Sequence, residues 1–447
     1  MEFKEFKEKL FLKAKNEGFD ECEIYYINRD SLSISIYEEE VDKYNLNKTF
    51  GLSFRGKING KMGYSFTEIL DEEAIEMLVK NAKDGAGSIE SEDIQFIYKG
   101  DEKYEEVVSY SKELENIDAE KLISLALDME REAKNASDKV VNIGGCNIGY
   151  GSSNYGIYNT NGLELTNKSN LLSAYIVPIV EDNERKYDGT GYKVAYSLDE
   201  VNPKEIAKQG VEEALSRING RSINSGKYKA IIYNEAMVSL IGAFIDVFDG
   251  DSAQKGLSLL KGKEGEVIAS DKVTIVDDPL MLNGLSSTPF DDEGVATYKK
   301  EIISNGVLNT LLHNLKTANK LGVKTTGNGF KASYASPVGI SPTNFYIKNG
   351  DKTIDELIAS ISEGIIITEF SGLHSGANSI TGDFSLAAKG FFIKNGKKSF
   401  PVEQITVAGN YFSLLKDIKE IANDLKFPMS SIGSPSILLD EISIAGE

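Results

Sequence analysis

The chain has 447 residues, enough for two or three domains of ordinary size with sizeable cores. It contains 69 Asp and Glu against 49 Lys and Arg, a formal net charge of −20, and no long run of basic residues. This charge disfavours nucleic acid as a partner, because neutralising phosphates requires clustered positive charge. Two cysteines are too few for a disulfide scaffold, and no apolar stretch is long enough to span a bilayer. We therefore expect a cytoplasmic protein without a membrane segment.

The first 220 residues follow one plan twice: a helix, an antiparallel meander and a second helix. In the first unit an amphipathic opening helix precedes short strand-like segments at 21–67 and a helix at 71–85. In the second unit a helix at 117–136 precedes short strand-like segments at 139–197 and a helix at 202–218. The pattern predicts an N-terminal α+β domain over 1–220, and leaves open whether its similar halves, about 1–100 and 105–220, are a duplication.

A polar, Gly/Ser-rich segment at 220–228 is the predicted linker to a second domain, 222–447. There a strand at 229–234 leads into a helix predicted over 235–250, and strand-like, glycine-rich segments follow. Asn-Gly pairs between apolar runs are the strongest short-range hairpin signal, and they occur at 305–306, 349–350 and 395–396. The second domain is thus predicted to be mostly antiparallel β structure with helices, and the fold class to be α+β.

Histidine limits the chemistry, because the chain contains only His313 and His374. We interpret His313 as a partly exposed helix residue, and His374, in a loop dense in Gly, Ser and Asn, as a candidate for ligand or peptide binding. A G-x-S-x-G elbow and a phosphate-loop motif are both absent from the sequence. Clustered acids are candidate ligands for a hard cation, although so acidic a chain also produces such runs by chance. They are Asp246, Asp249 and Asp251; Asp277 and Asp278; and Asp291, Asp292 and Glu293.

The second half carries a series of phrases in fixed order. They include VDDPLMLNGLSSTPFDDEGV from Val276, TTGNG from Thr325, GIIITEFSG from Gly364 and TGDFSLAAKGFFIKNG from Thr381. In these phrases the chain resembles the TldD/PmbA family, historically called modulators of DNA gyrase and now regarded as subunits of a zinc metalloprotease. The likeness runs from about residue 20 to the C-terminus, and STPFDDEGV with the TGDFS block is most similar to the PmbA branch, also called TldE.

The resemblance implies a metal site in the catalytic TldD branch. That branch carries H-E-x-x-x-H on the helix after the first strand of the second domain, with a cysteine near the C-terminus; imidazoles and thiolate would hold Zn²⁺ and the Glu would act as base. In this chain the three motif positions align with Ile241, Gly242 and Asp246, and the C-terminal stretch has no cysteine. We therefore expect no catalytic residue, no metal and no other cofactor in this chain, with zinc only in a TldD-like partner.

The function implied is that of a non-catalytic PmbA/TldE-like subunit of a cytoplasmic metalloprotease, paired with a TldD-like chain or with a second copy of itself. The substrates would be unfolded or small precursor peptides. The alternative is a self-associating peptide-binding or regulatory protein without a protease partner.

Peptides would be bound by main-chain hydrogen bonds to the strand at 365–370, taken as a sheet edge, and by the loop at 372–383. The competing interpretation of this loop is a structural hairpin that shapes a dimer. The predicted peptide-binding residues are Ile367, Thr368, His374, Gly376, Asn378, Thr381, Gly382 and Asp383.

Overall fold

The fold is known from a computed structural model that describes residues 1–88 and 93–447. It is 25% helix and 39% strand, and most of its strand pairs are antiparallel. The predicted α+β class is therefore confirmed. No helix within the described ranges is long and apolar enough to cross a membrane.

The first half of the chain folds around one antiparallel seven-stranded sheet. Its order is β3-β2-β1-β4-β5-β6, with β7 also paired to β5. The strands are β1 (Glu21–Tyr37), β2 (Glu40–Ile58), β3 (Lys61–Thr67), β4 (Val140–Asn159), β5 (Glu164–Asp182), β6 (Arg185–Asp188) and β7 (Gly191–Ala195). Because β1 pairs with β4, the two predicted units share a single sheet.

The prediction of many short strands is wrong for β1, β2, β4 and β5, which are continuous over 17 to 20 residues. The polar stretch at 28–31, which interrupts the apolar alternation of β1, is mostly exposed but fully paired with both neighbouring strands. It lies between two separate cores, one containing Ile24 and the other Ile34. Helices α1 (Phe3–Asn16) and α2 (Glu72–Ser88) cover the first core, and α3 (Ala119–Ala136) and α4 (Pro203–Ser216) cover the second.

The second half contains a six-stranded sheet of order β15-β14-β13-β8-β18-β16, which a β15–β18 pairing closes on itself. A smaller five-stranded sheet has the order β11-β10-β9-β12-β17. The strands are β8 (Gly226–Ile232), β9 (Ile275–Asp277), β10 (Lys300–Ser304), β11 (Val307–Leu308), β12 (Phe345–Ile347), β13 (Glu363–Ser371), β14 (Asp383–Lys394), β15 (Lys397–Asn410), β16 (Ile418–Ile421), β17 (Ile432–Gly433) and β18 (Ile437–Ala445). The helices are α5 (Asn234–Ala243), α6 (Gly250–Gln254), α7 (Leu315–Leu321), α8 (Ile354–Ala359), α9 (Leu373–Gly376) and α10 (Tyr411–Asp417).

Two of the three Asn-Gly pairs form the predicted hairpin turns. The turn at 305–306 joins β10 to β11 with φ of 46° and 83°, and the turn at 395–396 joins β14 to β15 with φ of 53° and 72°. The hairpin predicted at 349–350 is wrong. There the Gly350 N–H donates to the Ala422 carbonyl at 2.9 Å, and an added Cβ would lie 2.0 Å from a neighbouring carbonyl oxygen. This glycine permits close passage of two chain segments rather than a turn.

His313 is not the partly exposed helix residue that the sequence suggests. It lies before α7, whose N-cap is Asn314, and is only 2% exposed. Its Nδ1 is 3.2 Å from Thr317 Oγ1, and burial lowers the pKa of its imidazole. His313 is therefore a packed core residue.

Candidate functional site

The three positions implied for a metal motif lie on α5 and in the turn that follows it. Ile241 is fully buried in the core of the second half, Gly242 has no side chain, and Asp246 is exposed. The helix ends at Ala243 rather than 250, because Phe244 leaves the helical conformation and a short 3-10 turn follows at Ile245–Phe248. One carboxylate cannot supply the imidazole and thiolate ligands of such a site, so the residues present do not fit a zinc ion.

Aromatic side chains fill the space beside α5. The Phe244 ring stacks on the Tyr411 ring with centroids 4.6 Å apart, and Phe384 lies 6.3 Å from Phe244. Tyr411 is completely buried, its hydroxyl has no hydrogen-bond partner among the described residues, and burial raises its pKa. An unsatisfied buried hydroxyl costs free energy. The space beside α5 is therefore filled by a packed aromatic core.

The loop at 372–383, predicted to bind peptide, is closed by its own backbone and side chains. The Asn378 N–H donates to the Asp383 carbonyl at 2.9 Å. The Asn378 side-chain oxygen accepts from the N–H groups of Ile380 and Thr381 at 3.0 and 3.2 Å. Bonds of this kind hold a turn together. At Asn378 they favour the structural interpretation of the loop over peptide binding.

Other predicted loop residues are also held in place. Gly382 has φ of 83°, and a Cβ on Gly376 would lie 2.4 Å from the Ser385 carbonyl oxygen. The Asp383 carboxylate accepts from Asn410 Nδ2 at 2.9 Å. His374, by contrast, is exposed. The loop borders an open depression of about 490 Å³.

The prediction that the strand at 365–370 is a sheet edge is wrong for residues 365–367. Residues 365–367 pair with β8 on one side and with β14 on the other, and Ile367 is fully buried. An added peptide strand therefore finds no free backbone groups at these residues, and Ile367 cannot contact a peptide. Thr368 lies just beyond the last residue paired with β8, at a bulge in the β13–β14 ladder.

Thr368 borders a cleft of about 410 Å³ between α4, the start of α5 and strands β14 and β15. Three of its cations are paired: Arg217 with Glu213 and Glu369, Lys389 with Glu369, and Lys426 with Glu235.

Lys398 differs from these cations, because no carboxylate in the described part of the chain pairs with it. Its Nζ lies 4.8 Å from the centre of the Tyr233 ring and 5.2 Å from that of Phe391. Sequence reasoning missed this cleft except for Thr368, because its residues come from segments between 209 and 426 and share no local motif.

The acids at 291–293 bond to the backbone and to buried cations. Asp291 accepts from the N–H groups of Glu293, Val295 and Gly329 at 2.9 to 3.0 Å. Asp292 accepts from the Lys331 N–H at 2.8 Å. Burial raises the pKa of Asp292 to about 6 and lowers that of the Lys331 amine to about 8.

The same region joins the two halves of the chain through ionic contacts. Arg55 on β2 bonds Glu23 on β1 at 2.6 Å and lies 3.8 Å from Glu293. Each of these three residues is at most 5% exposed.

Apart from Asp246, the remaining candidate acids also have protein partners. Asp249 is the N-cap of α6, and Asp251 pairs with Lys255. Asp277 bonds Lys300 at 2.8 Å, and Asp278 pairs with a lysine at the surface. Within the described ranges no three His, Cys, Asp or Glu residues are arranged to hold a metal ion.

The chain matches known proteins along most of its length. Three successive segments match the PmbA/TldA metallopeptidase domain 1 (22–86), central domain (112–218) and C-terminal domain (225–446). The chain is 31% identical to Metalloprotease PmbA of Escherichia coli O157:H7, over 74% of this chain and 71% of that protein.

Two solved structures extend the comparison. A crystal structure of a proposed modulator of a DNA gyrase from Thermotoga maritima MSB8 matches with a TM-score of 0.92 and 34% identity, covering 99% of this chain and 100% of the other. TldE from Thermococcus kodakarensis shares the fold, with a TM-score of 0.90 and 22% identity over 99% of this chain and 100% of that one.

Fold and sequence together define a class: the chain belongs to the PmbA/TldD metallopeptidase family. Within that family it is a PmbA-like member, as the phrases of its second half predict.

Proposed function

We propose that this chain is the non-catalytic PmbA/TldE-like subunit of a cytoplasmic metalloprotease that acts on unfolded or small precursor peptides. A TldD-like chain would supply the zinc ion and the general base. The observation that carries this proposal is Ile241, a fully buried aliphatic side chain at the position where the catalytic branch has its first histidine.

The chemistry at the neighbouring positions supports the same conclusion. Zinc peptidases need nitrogen or sulfur ligands and a carboxylate that removes a proton from the metal-bound water. Gly242 offers no such carboxylate, and Asp246 is a single exposed acid on a 3-10 turn. This chain would then help to form the peptide-binding site and bind the substrate, while its partner would carry out the hydrolytic step.

We further propose that peptides contact this subunit at the cleft beside Thr368. Unlike the loop, the cleft has a cation without an acidic partner, Lys398, held over two aromatic rings. Such a cation attracts carboxylates of a peptide, and the flanking rings supply apolar contact. Of the predicted loop residues, His374, Asn378, Thr381 and Asp383 are exposed and so remain available for contact.

The decisive experiment reconstitutes the pair. The purified chain, a purified TldD-like chain and their mixture are each incubated with an unstructured peptide library, with and without a chelator. We expect cleavage only in samples containing the TldD-like chain, greater cleavage in the mixture, and none with chelator. Cleavage by this chain alone in the presence of EDTA would refute the proposal.

A matched pair of variants tests the cleft. Lys398→Gln should weaken peptide cleavage by the mixture severalfold, whereas Lys394→Gln, an exposed lysine of β14 outside the cleft, should not. Equal effects of the two changes would remove the cleft from the proposal and leave the subunit role standing.

The second candidate function is a peptide-binding or regulatory protein without a protease partner, and the cleft within this one chain favours it. It predicts peptide binding by the isolated chain that a TldD-like chain neither strengthens nor converts into cleavage. Fluorescence anisotropy of a labelled peptide, with and without the TldD-like chain, separates the two functions.

A further inference from the structure

A cavity of about 240 Å³ lies where the two halves of the chain meet, and it shares no lining residue with the cleft. Its walls come from β2 and β3, from residues 95–96 and from loops of the second half. Pockets for drug-sized ligands usually measure about 300–1,000 Å³, so this cavity suits a molecule the size of one amino acid. The apolar part of its wall consists of Met62, Phe96, Pro337 and Val338.

Arg55 lines this cavity with a guanidinium whose hydrogen bonds are incomplete. The residue is 5% exposed, and its Nε–H donates to Glu23 Oε1 at 2.6 Å. Nη1 lies 3.8 Å from Glu293 Oε1, beyond hydrogen-bond distance, and Nη2 has no partner within residues 1–88 and 93–447. Buried donors without acceptors cost free energy, so their position on a cavity wall indicates a ligand that accepts from them.

Glu293 adds a carboxylate to the same wall. Its Oε2 accepts from the Leu315 N–H at 2.7 Å. For Oε1 the described part of the chain offers the Arg55 Nη1 at 3.8 Å and no hydrogen bond. A guanidinium and a carboxylate oxygen, each with unused hydrogen-bonding capacity, therefore border one small cavity.

Most other polar residues of the cavity already have partners. The Tyr64 hydroxyl accepts from a lysine and donates to a backbone carbonyl. Asn314 caps α7, and Lys316 pairs with Asp251 at 3.4 Å. The guanidinium and the carboxylate are thus the charged groups that remain available to a ligand.

The two opposite charges select the class of ligand. A simple anion would meet the Glu293 carboxylate beside Arg55, and a simple cation would meet the guanidinium, so each would carry a repulsive contact. A zwitterion satisfies both groups, because its carboxylate accepts from the guanidinium and its ammonium donates to Glu293 Oε1. The apolar wall would then contact an aliphatic or aromatic side chain.

We propose that this cavity binds a free apolar α-amino acid, with its carboxylate on Arg55 and its ammonium on Glu293. A residue inside a peptide carries neither charge, and a terminal residue carries one of the two, so the free amino acid fits best. Free amino acids are end products of peptide hydrolysis, which makes the ligand a product under the proposed function. The binding site itself rests on the cavity and not on that function.

Isothermal titration calorimetry of the purified chain tests the ligand class. L-leucine should bind saturably with a dissociation constant of about 1 mM or lower. L-leucinamide lacks the carboxylate and N-acetyl-L-leucine lacks the ammonium, so each should bind at least about tenfold more weakly, because one buried charge stays unpaired. Inorganic phosphate is the control for a general anion site and should not bind.

A conservative variant tests the role of the carboxylate. In Glu293→Gln the amide oxygen can still accept from the Leu315 N–H, so the loop keeps this bond. The variant should weaken L-leucine about tenfold, because the ammonium loses its charged partner. It should not weaken N-acetyl-L-leucine, which has no ammonium. A purely structural role of Glu293 would not distinguish the two ligands.

A matched pair of variants tests the location. Val338→Trp fills the cavity from its wall, whereas Val323→Trp places the same side chain at a position that is 49% exposed and outside the cavity. The first should abolish L-leucine binding and the second should preserve it. Melting temperatures check that both variants fold, and if Val338→Trp does not, the ligand comparison with Glu293→Gln decides.

Several results would overturn the proposal. They are no saturable L-leucine binding up to about 10 mM, L-leucinamide or phosphate binding as tightly as L-leucine, equal weakening of both ligands by Glu293→Gln, or binding that survives in a folded Val338→Trp. Leucine binding by a chain whose mixture with a TldD-like chain cleaves no peptide would refute the proposed function and leave this site standing. Cleavage by the mixture without leucine binding would do the reverse.

Discussion

Substitutions at the adjacent positions 241 and 242, on one turn of a helix, should change the free energy of unfolding in opposite directions. Ile241→Ala removes three carbon atoms from a side chain with no exposed surface. At about 0.8 kcal/mol for each buried methylene, plus the cost of the cavity, the expected loss of unfolding free energy is about 2–4 kcal/mol.

Gly242→Ala should instead stabilise the protein. The atom nearest to a Cβ built on Gly242 is Ile432 Cδ1, at 3.6 Å, an ordinary van der Waals contact. Replacing a helical glycine with alanine under these conditions gains about 0.5–1 kcal/mol.

Urea unfolding followed by far-ultraviolet circular dichroism measures both values, since the chain has no tryptophan for fluorescence. A loss below about 1 kcal/mol for Ile241→Ala would show that the position is not part of a packed core. A Gly242→Ala variant less stable than Ile241→Ala would show that something outside the described contacts approaches the helix there. Either result would refute the conclusion that positions 241 and 242 belong to a packed core, where the catalytic branch has a zinc ligand and a general base.

Three further predictions concern other sites. Tyr411→Phe removes a buried hydroxyl without a partner and should raise the unfolding free energy by about 1 kcal/mol; a loss of that size in urea unfolding would show that the hydroxyl is bonded. The pKa of Lys331 is about 8 in the folded chain and about 10.4 when unfolded, so the unfolded state binds more protons between these values. Wild-type stability should therefore gain up to about 3 kcal/mol from this group as pH rises from about 8 to 10, and Lys331→Met, compared across the same pH series, should lack that gain. Gly376→Ala should lower stability by about 1–3 kcal/mol, because its Cβ would lie 2.4 Å from the Ser385 carbonyl oxygen, whereas the exposed His374→Ala should leave the melting temperature unchanged.

Local patterns predicted the elements whose causes are local. The helix predicted at 117–136 is observed at Ala119–Ala136, where Asp118 caps its first turn. The Asn-Gly turns at 305–306 and 395–396 follow from the positive φ that both residues tolerate. The same dipeptide at 349–350 is different, because its glycine is required for a close approach to a distant segment, which no local pattern reveals.

What the sequence could not supply is which strands are neighbours. β13 has the composition of a strand, but it lies inside the sheet because β8, far away in sequence, pairs with it. The cleft beside Thr368 likewise depends on residues brought together by folding. The resemblance located Ile241 and Gly242 correctly on a helix, yet only the three-dimensional structure shows that Ile241 points into a core.

The pairing of β1 with β4 has a consequence for how the protein is made. Glu23 is partnered by Asn159, so the second side of a 17-residue strand stays open until that distant segment has left the ribosome. A nascent chain of about 100 residues would expose this edge beside apolar side chains, a species prone to aggregation and in need of chaperone protection. Contacts of such sequence separation also make folding slow, and we expect docking of β4 onto β1 to limit its rate.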